Sequence, residues 1–208
     1  MTMPRTATAW IAIITALFWA GAALLGQSEA AAYALGFIPA RLSGALTAFP
    51  AVPAFLTPLS ATLVHAGIVH IAFNLLMLVW CGNQVERVLG TKALVFLYVV
   101  SAYTAAMLQW AVMPHGDVPM IGASGAISGI LGAFALSFGQ QKQIVRSRSL
   151  NRALNAAWLL VAWVVLQLMT GMLGGFEGVV VATPAHVGGF ISGLLLQRPL
   201  LMWRYRKA

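Results

Sequence analysis

The stretch Gly122-Ala123-Ser124-Gly125-Ala126-Ile127-Ser128-Gly129-Ile130-Leu131-Gly132 is apolar, spaced by glycines, and carries a serine near its start. A second stretch, Ala185-His186-Val187-Gly188-Gly189, puts a histidine in the same kind of setting. Polar side chains inside a membrane span are costly, so they tend to be paired or functional. A serine and a histidine so placed are a candidate nucleophile and base. That reading holds only if both stretches lie in a bilayer.

Composition puts them there. The chain has 208 residues, 61% hydrophobic and 8% charged, with a mean hydropathy of +0.88. A soluble domain carries about 25% charged residues, so this chain cannot coat a water-facing surface. The length allows a single domain over residues 1–208 and no separate soluble unit. Cys81 is the only cysteine, which excludes an intramolecular disulfide. The histidines and acidic residues show no ligand spacing of the H-x-x-x-H type, so no metal site is expected.

Six apolar stretches approach the roughly 20 residues a spanning helix needs. They cover about 7–25, 68–85, 93–112, 124–138, 153–173 and 183–202. The first follows one basic residue and leads into further spans, so it reads as a retained helix rather than a signal peptide.

The charges test this count. With the N-terminus cytoplasmic and six crossings, the cytoplasmic side holds Arg5, Arg87, Lys92, Lys142, Arg146, Arg148, Arg152, Arg198, Arg204, Arg206 and Lys207. That is 11 of the 12 Lys and Arg residues, and only Arg41 faces outward. Cytoplasmic loops are the basic ones in membrane proteins, and a wrong count would scramble the split. Both termini are therefore expected in the cytoplasm. The net charge of +8 is explained by topology and lipid contact, and nucleic acid is not an expected partner.

The connection from Gly26 to Gly67 faces outward and is itself apolar and proline-punctuated, from Phe49-Pro50-Ala51-Val52-Pro53 to Thr57-Pro58-Leu59. Its prolines argue against one long helix. Two placements stay open: a segment lying in the membrane interface, or a loop packed on its own helices.

The same topology puts His70 and Asn74 near the outer start of the second span, Ser124 at the outer start of the fourth, and His186 near the outer start of the sixth. Four polar groups thus share one depth. His70 and Asn74 are four residues apart and so share a helix face. Ser124 at a helix start lies beside unpaired backbone N–H groups and the positive end of the dipole, where an oxyanion would be stabilised. Gly125-x-x-x-Gly129 and Gly189-x-x-x-Gly193 let the fourth and sixth helices approach closely. From the residues alone, helix-packing polar groups and an active site both remain open.

In order and type, these residues resemble the rhomboid family of intramembrane serine proteases. The likeness covers about 58–193. It is carried by His65-Ala66-Gly67-Ile68-Val69-His70-Ile71-Ala72-Phe73-Asn74, then Gly82, Glu86 and Gly90, then Gly122-Ala123-Ser124-Gly125, and last Ala185-His186 with Gly189 and Gly193. The resemblance implies an all-α membrane bundle of six transmembrane helices with a membrane-associated first loop. It implies Ser124 as nucleophile, His186 as base, and an oxyanion hole from the Ser124 N–H, His70 and Asn74. Gly122, Gly125, Gly189 and His65 would pack around the site, and Glu86 would be structural on the cytoplasmic side; no cofactor is implied. Substrates would be single-span membrane proteins, cut by a Ser-His dyad in a bacterial inner membrane with the site toward the outer face. The alternative is a catalytically inactive relative that binds membrane helices.

The sequence departs from the family pattern in two places. Leu56-Thr57 stand where the family often has Trp-Arg in the first loop, and Ser128 stands where an aromatic residue often stacks on the base. A less constrained His186 is the expected result.

Overall fold

The computed structural model describes residues 6–46, 50–138, 145–173 and 182–206, with 170–173 described by backbone alone. Arg5, Phe49, Lys142 and Lys207, which figure in the sequence reading, lie outside the described residues. The described residues are all-α apart from one isolated bridge, Phe37 to Met120.

In chain order the helices are α1 (Ala7–Leu24), α2 (Ser28–Leu35), α3 (Pro39–Leu42), α4 (Thr57–Ser60), α5 (Ile68–Met77), α6 (Asn83–Leu89), α7 (Thr91–Val112), α8 (Ser124–Phe138), α9 (Arg148–Leu173) and α10 (Thr183–Arg204). A π turn over Leu78–Gly82 joins α5 to α6, making one rod from Ile68 to Leu89. All six apolar stretches are helical. Among the described residues, four helical segments are long and apolar enough to cross a membrane: Ala7–Leu24, Ile68–Leu89, Thr91–Val112 and Arg148–Met169. The described part of α8 is apolar and covers Ser124–Phe138. α10 has 22 residues, diluted by glycines, His186, Gln197 and Arg198.

The core is a three-helix knot of α7, α8 and α10. α8 runs through its middle, with every residue from Ala126 to Ala133 buried. Glycines make this possible. A Cβ at Gly189 would strike the Gly125 carbonyl, one at Gly193 the Gly129 carbonyl, and one at Gly132 the Phe190 carbonyl. On the α7 side, Gly125 faces Ala105 and Gly129 faces Ser101. The Ser101 hydroxyl bonds Ser192 on α10 at 2.8 Å, and Ser192 donates to the Gly189 carbonyl at 2.6 Å. Buried hydroxyls thus find partners across the seam, as an apolar interior demands.

α1 lies at the rim, with only Thr8 and Thr15 buried. It is fastened at its start. The Glu86 carboxylate accepts from the Ala7 N–H (2.8 Å), the Thr8 N–H (2.9 Å), the Thr8 hydroxyl (2.7 Å) and the Thr91 hydroxyl (2.9 Å). A carboxylate at helix N-termini satisfies orphan donors and complements the dipole. Here one carboxylate serves both α1 and α7. Arg204 at the end of α10 donates to the Arg87 carbonyl at 2.7 Å, closing the end of α6. Gly90 turns the chain there at φ +88°, where a Cβ would crowd that guanidinium.

The connection between α1 and α5 is broken into short helices, with Pro39 and Pro58 in first turns. Phe37, Ile38, Ala40, Thr57 and Ala61 are buried against the bundle, while Phe55 and Leu56 project outward. Of the two placements left open, packing on its own helices holds for these buried residues. Position 57 closes a turn through its hydroxyl, which donates to the Ala54 carbonyl at 2.6 Å. Elsewhere in the loop, Arg41 Nη2 donates to the Val52 carbonyl at 2.8 Å. Arg41 therefore helps to anchor this loop.

Candidate active site

Ser124 begins α8 and is reached through Gly122, whose φ of +111° lies in the left-handed region that favours glycine. The approach is held from the α1–α5 connection. The Gly122 N–H donates to the Ala61 carbonyl at 2.9 Å, and Met120 pairs with Phe37 at 2.8 and 3.0 Å. The Ala123 N–H donates to His65 Nε2 at 3.4 Å. Burial, with His70 as a secondary cause, holds the His65 imidazole down to about 3. It is therefore the neutral acceptor this bond needs.

The structure brings Ser124 and His186 together. Ser124 Oγ lies 2.8 Å from His186 Nε2, and both residues are buried. They sit on α8 and α10, at the top of the glycine seam. A hydroxyl and an imidazole at this distance form a nucleophile–base contact. His186 Nδ1 is buried and has no hydrogen-bond partner among the described residues, so no described carboxylate orients the ring.

His70 and Asn74 lie on α5, facing the start of α8. A Cβ at Gly122 would sit 2.8 Å from the His70 ring and 3.8 Å from Ser124 Oγ. Imidazole and hydroxyl thus flank one small space that glycine leaves open. Asn74 Nδ2 donates to the His70 carbonyl at 3.0 Å, which uses one of its two protons. The His65 and His70 rings meet edge to face, with centroids 4.9 Å apart. All the residues singled out in the sequence for this site therefore converge at one end of α5, α8 and α10. Among the described residues, no group of three His, Cys, Asp or Glu is placed to hold a metal ion.

Sequence reasoning missed Trp163. This α9 side chain is buried, and its Nε1–H donates to Ser128 Oγ at 2.7 Å. Ser128 Oγ in turn donates to the Ser124 carbonyl at 2.7 Å. The indole meets the His186 ring edge to face, centroids 6.3 Å apart, and stacks on Phe73 of α5 at 5.8 Å. The aromatic contact to the base thus comes from α9 rather than from position 128. One signal was available: tryptophans of spanning helices favour the two interfaces, and Trp163 lies in the middle of its helix.

Comparison with known proteins places these residues in context. The Rhomboid domain model matches residues 53–203. Rhomboid protease GluP of Bacillus subtilis is 30% identical over 139 residues, 66% of this chain and 24% of the relative. RHOMBOID-like protein 4 of Arabidopsis thaliana is 31% identical over 146 residues, 69% of this chain and 34% of the relative. Rhomboid protease GlpG of Yersinia pestis is 31% identical over 137 residues, 66% of this chain and 45% of the relative. The match spans less than half the length of each.

Proposed function

Because the chain belongs to the rhomboid family, we propose that it is a serine endopeptidase that cuts membrane proteins within the bilayer. The observation that carries this reading is the 2.8 Å contact between Ser124 Oγ and His186 Nε2, buried in an apolar bundle. Ser124 Oγ attacks the scissile carbonyl as His186 Nε2 takes its proton. The imidazolium then protonates the leaving amine, and an acyl-enzyme remains on Ser124. Water, deprotonated by His186, releases the second product.

Negative charge on the tetrahedral oxygen is met by the N–H groups of the first turn of α8, the second Asn74 amide proton and the His70 ring. Donors aimed at developing charge in a water-poor site are the strongest term in such reactions. His65 keeps the approach to Ser124 in register through the Ala123 N–H. Gly122, Gly125 and Gly189 keep the space free of side chains.

The helices over all six stretches cross the membrane in this reading, with both ends cytoplasmic. Eleven of twelve basic residues then lie on the cytoplasmic side. The site opens toward the outer face of a bacterial inner membrane, and two of the relatives named above are bacterial. Substrates are single-span membrane proteins, presented among membrane lipids. The buried Ser124–His186 contact favours catalysis over the inactive helix-binding alternative.

A fluorophosphonate probe tests the reading directly. Wild-type protein in detergent is expected to be labelled and to cleave a reporter transmembrane segment. Ser124→Ala is expected to lose both, and His186→Ala to lose at least 10³-fold in cleavage, roughly the cost of removing a catalytic base. Cleavage undiminished in Ser124→Ala sinks the proposal. Absence of labelling in folded wild-type protein assigns the chain to the binding class.

A further inference from the structure

Among the described residues the base of this pair has no hydrogen-bonded partner at Nδ1, so packing of these residues must help to fix the plane of its ring. Trp163 is linked to both halves of the pair. Trp163 sets its indole edge to face with the His186 imidazole at 6.3 Å and 74°. Through its N–H it also reaches the nucleophile: Nε1–H to Ser128 Oγ, and Ser128 Oγ–H to the Ser124 carbonyl, each 2.7 Å. The relay is fully specified. The indole has one donor and no acceptor, so the serine hydroxyl must accept from it. Its single proton is then free to go to the carbonyl one turn back.

The geometry points to Trp163 as the positioning residue of the pair, with Ser128 as its relay; this rests on the proposed protease activity. Trp163 is not a catalytic residue, since its indole is hydrogen-bonded to Ser128 rather than to the Ser124 hydroxyl. It fixes where the imidazole stands relative to the serine it deprotonates. Phe73 stacks on the indole with centroids 5.8 Å apart. Phe73 adjoins Asn74 in the chain, so the indole also meets the α5 segment that carries a candidate oxyanion donor. Asn151, Ala156, Trp163 and Gln167 are the buried residues of α9, and Trp163 is the largest of these. α9 therefore takes its bearing on the active site through this ring.

Two substitutions cut the relay at its two ends. Trp163→Phe removes the donor and keeps an aromatic ring; Ser128→Ala removes the acceptor. Both variants and their combination are compared with wild type as full chains in detergent. The readouts are the rate of Ser124 labelling by a fluorophosphonate, kcat and KM on a reporter transmembrane substrate, and the thermal unfolding midpoint. Each single variant is expected to slow labelling and kcat roughly 10- to 100-fold, the scale of a small misplacement of a catalytic group. KM is expected to change by less than about twofold. The double variant is expected to be no slower than the worse single variant, because both break the same connection.

Labelling and kcat within about twofold of wild type in both single variants would overturn the assignment. So would losses that multiply in the double variant, or that fall on KM or only follow the unfolded fraction. A wild type that neither labels nor cleaves overturns the protease reading and this inference together. An active wild type with indifferent variants overturns this inference alone.

Discussion

Gly122 is the residue at which shape and chemistry meet most closely. Its φ of +111° is one that L side chains rarely adopt, and a Cβ there would lie 2.8 Å from the His70 ring. Gly122→Ala therefore strains the backbone and pushes His70 off its position at once. A loss of about 2 kcal/mol is expected from the backbone alone. Labelling of Ser124 should fall further than the melting point implies, since the displaced ring belongs to the candidate oxyanion hole. A thermal melt read beside a labelling time course separates the two effects. Ser128 teaches the opposite lesson. From the sequence it was a missing aromatic, and a looser base was the expected consequence. In three dimensions it is an adaptor, and the aromatic arrives from a residue 35 positions later.

Between elements, the seam of α7, α8 and α10 rests on backbone meeting backbone. Gly189→Ala puts a methyl group into the Gly125 carbonyl, and neither helix can yield without moving Ser124 or His186. The expected outcome is a clear drop in unfolding temperature with loss of labelling. Gly21→Ala, on α1 with nothing within 4 Å of the added carbon, should leave both unchanged and serves as the control. This seam was legible in the sequence, because four-residue glycine spacing is a local pattern with one physical meaning in an apolar helix. Helix positions were legible for the same reason. The rod from Ile68 to Leu89 runs four residues past its apolar stretch, because Glu86 and Arg87 are held at its end. The role of Trp163 was not legible: its place in mid-helix sets it apart, but which residues it serves depends on the helices it happens to face. The folding of the α1–α5 connection was equally hidden, since it depends on Arg41 reaching Val52 and on Ala61 meeting Gly122.

For the molecule as a whole, Glu86 decides whether the rim stays attached. It joins the starts of α1 and α7 across sequence separations of 79 and 5 residues, a link that no local pattern announces. Glu86→Ala leaves four donors without their acceptor, and roughly 3 kcal/mol of stability should be lost. Glu86→Gln should lose less, because an amide oxygen still accepts. Differential scanning fluorimetry in detergent checks the order wild type, Gln, Ala. Labelling per folded molecule should hold in all three, as the carboxylate lies toward the opposite end of the Ile68–Leu89 rod from His70 and Asn74. What lies above α8 acts at this scale too. The chain reaches Ser124 through loop backbone satisfied from within, by Phe37–Met120 and Ala61–Gly122. The serine therefore sits at a fixed depth below that layer of protein, while the lipid around it can vary in thickness. Acyl-chain length then becomes a control on water supply: a thinner bilayer shortens the path from solvent to the acyl-enzyme.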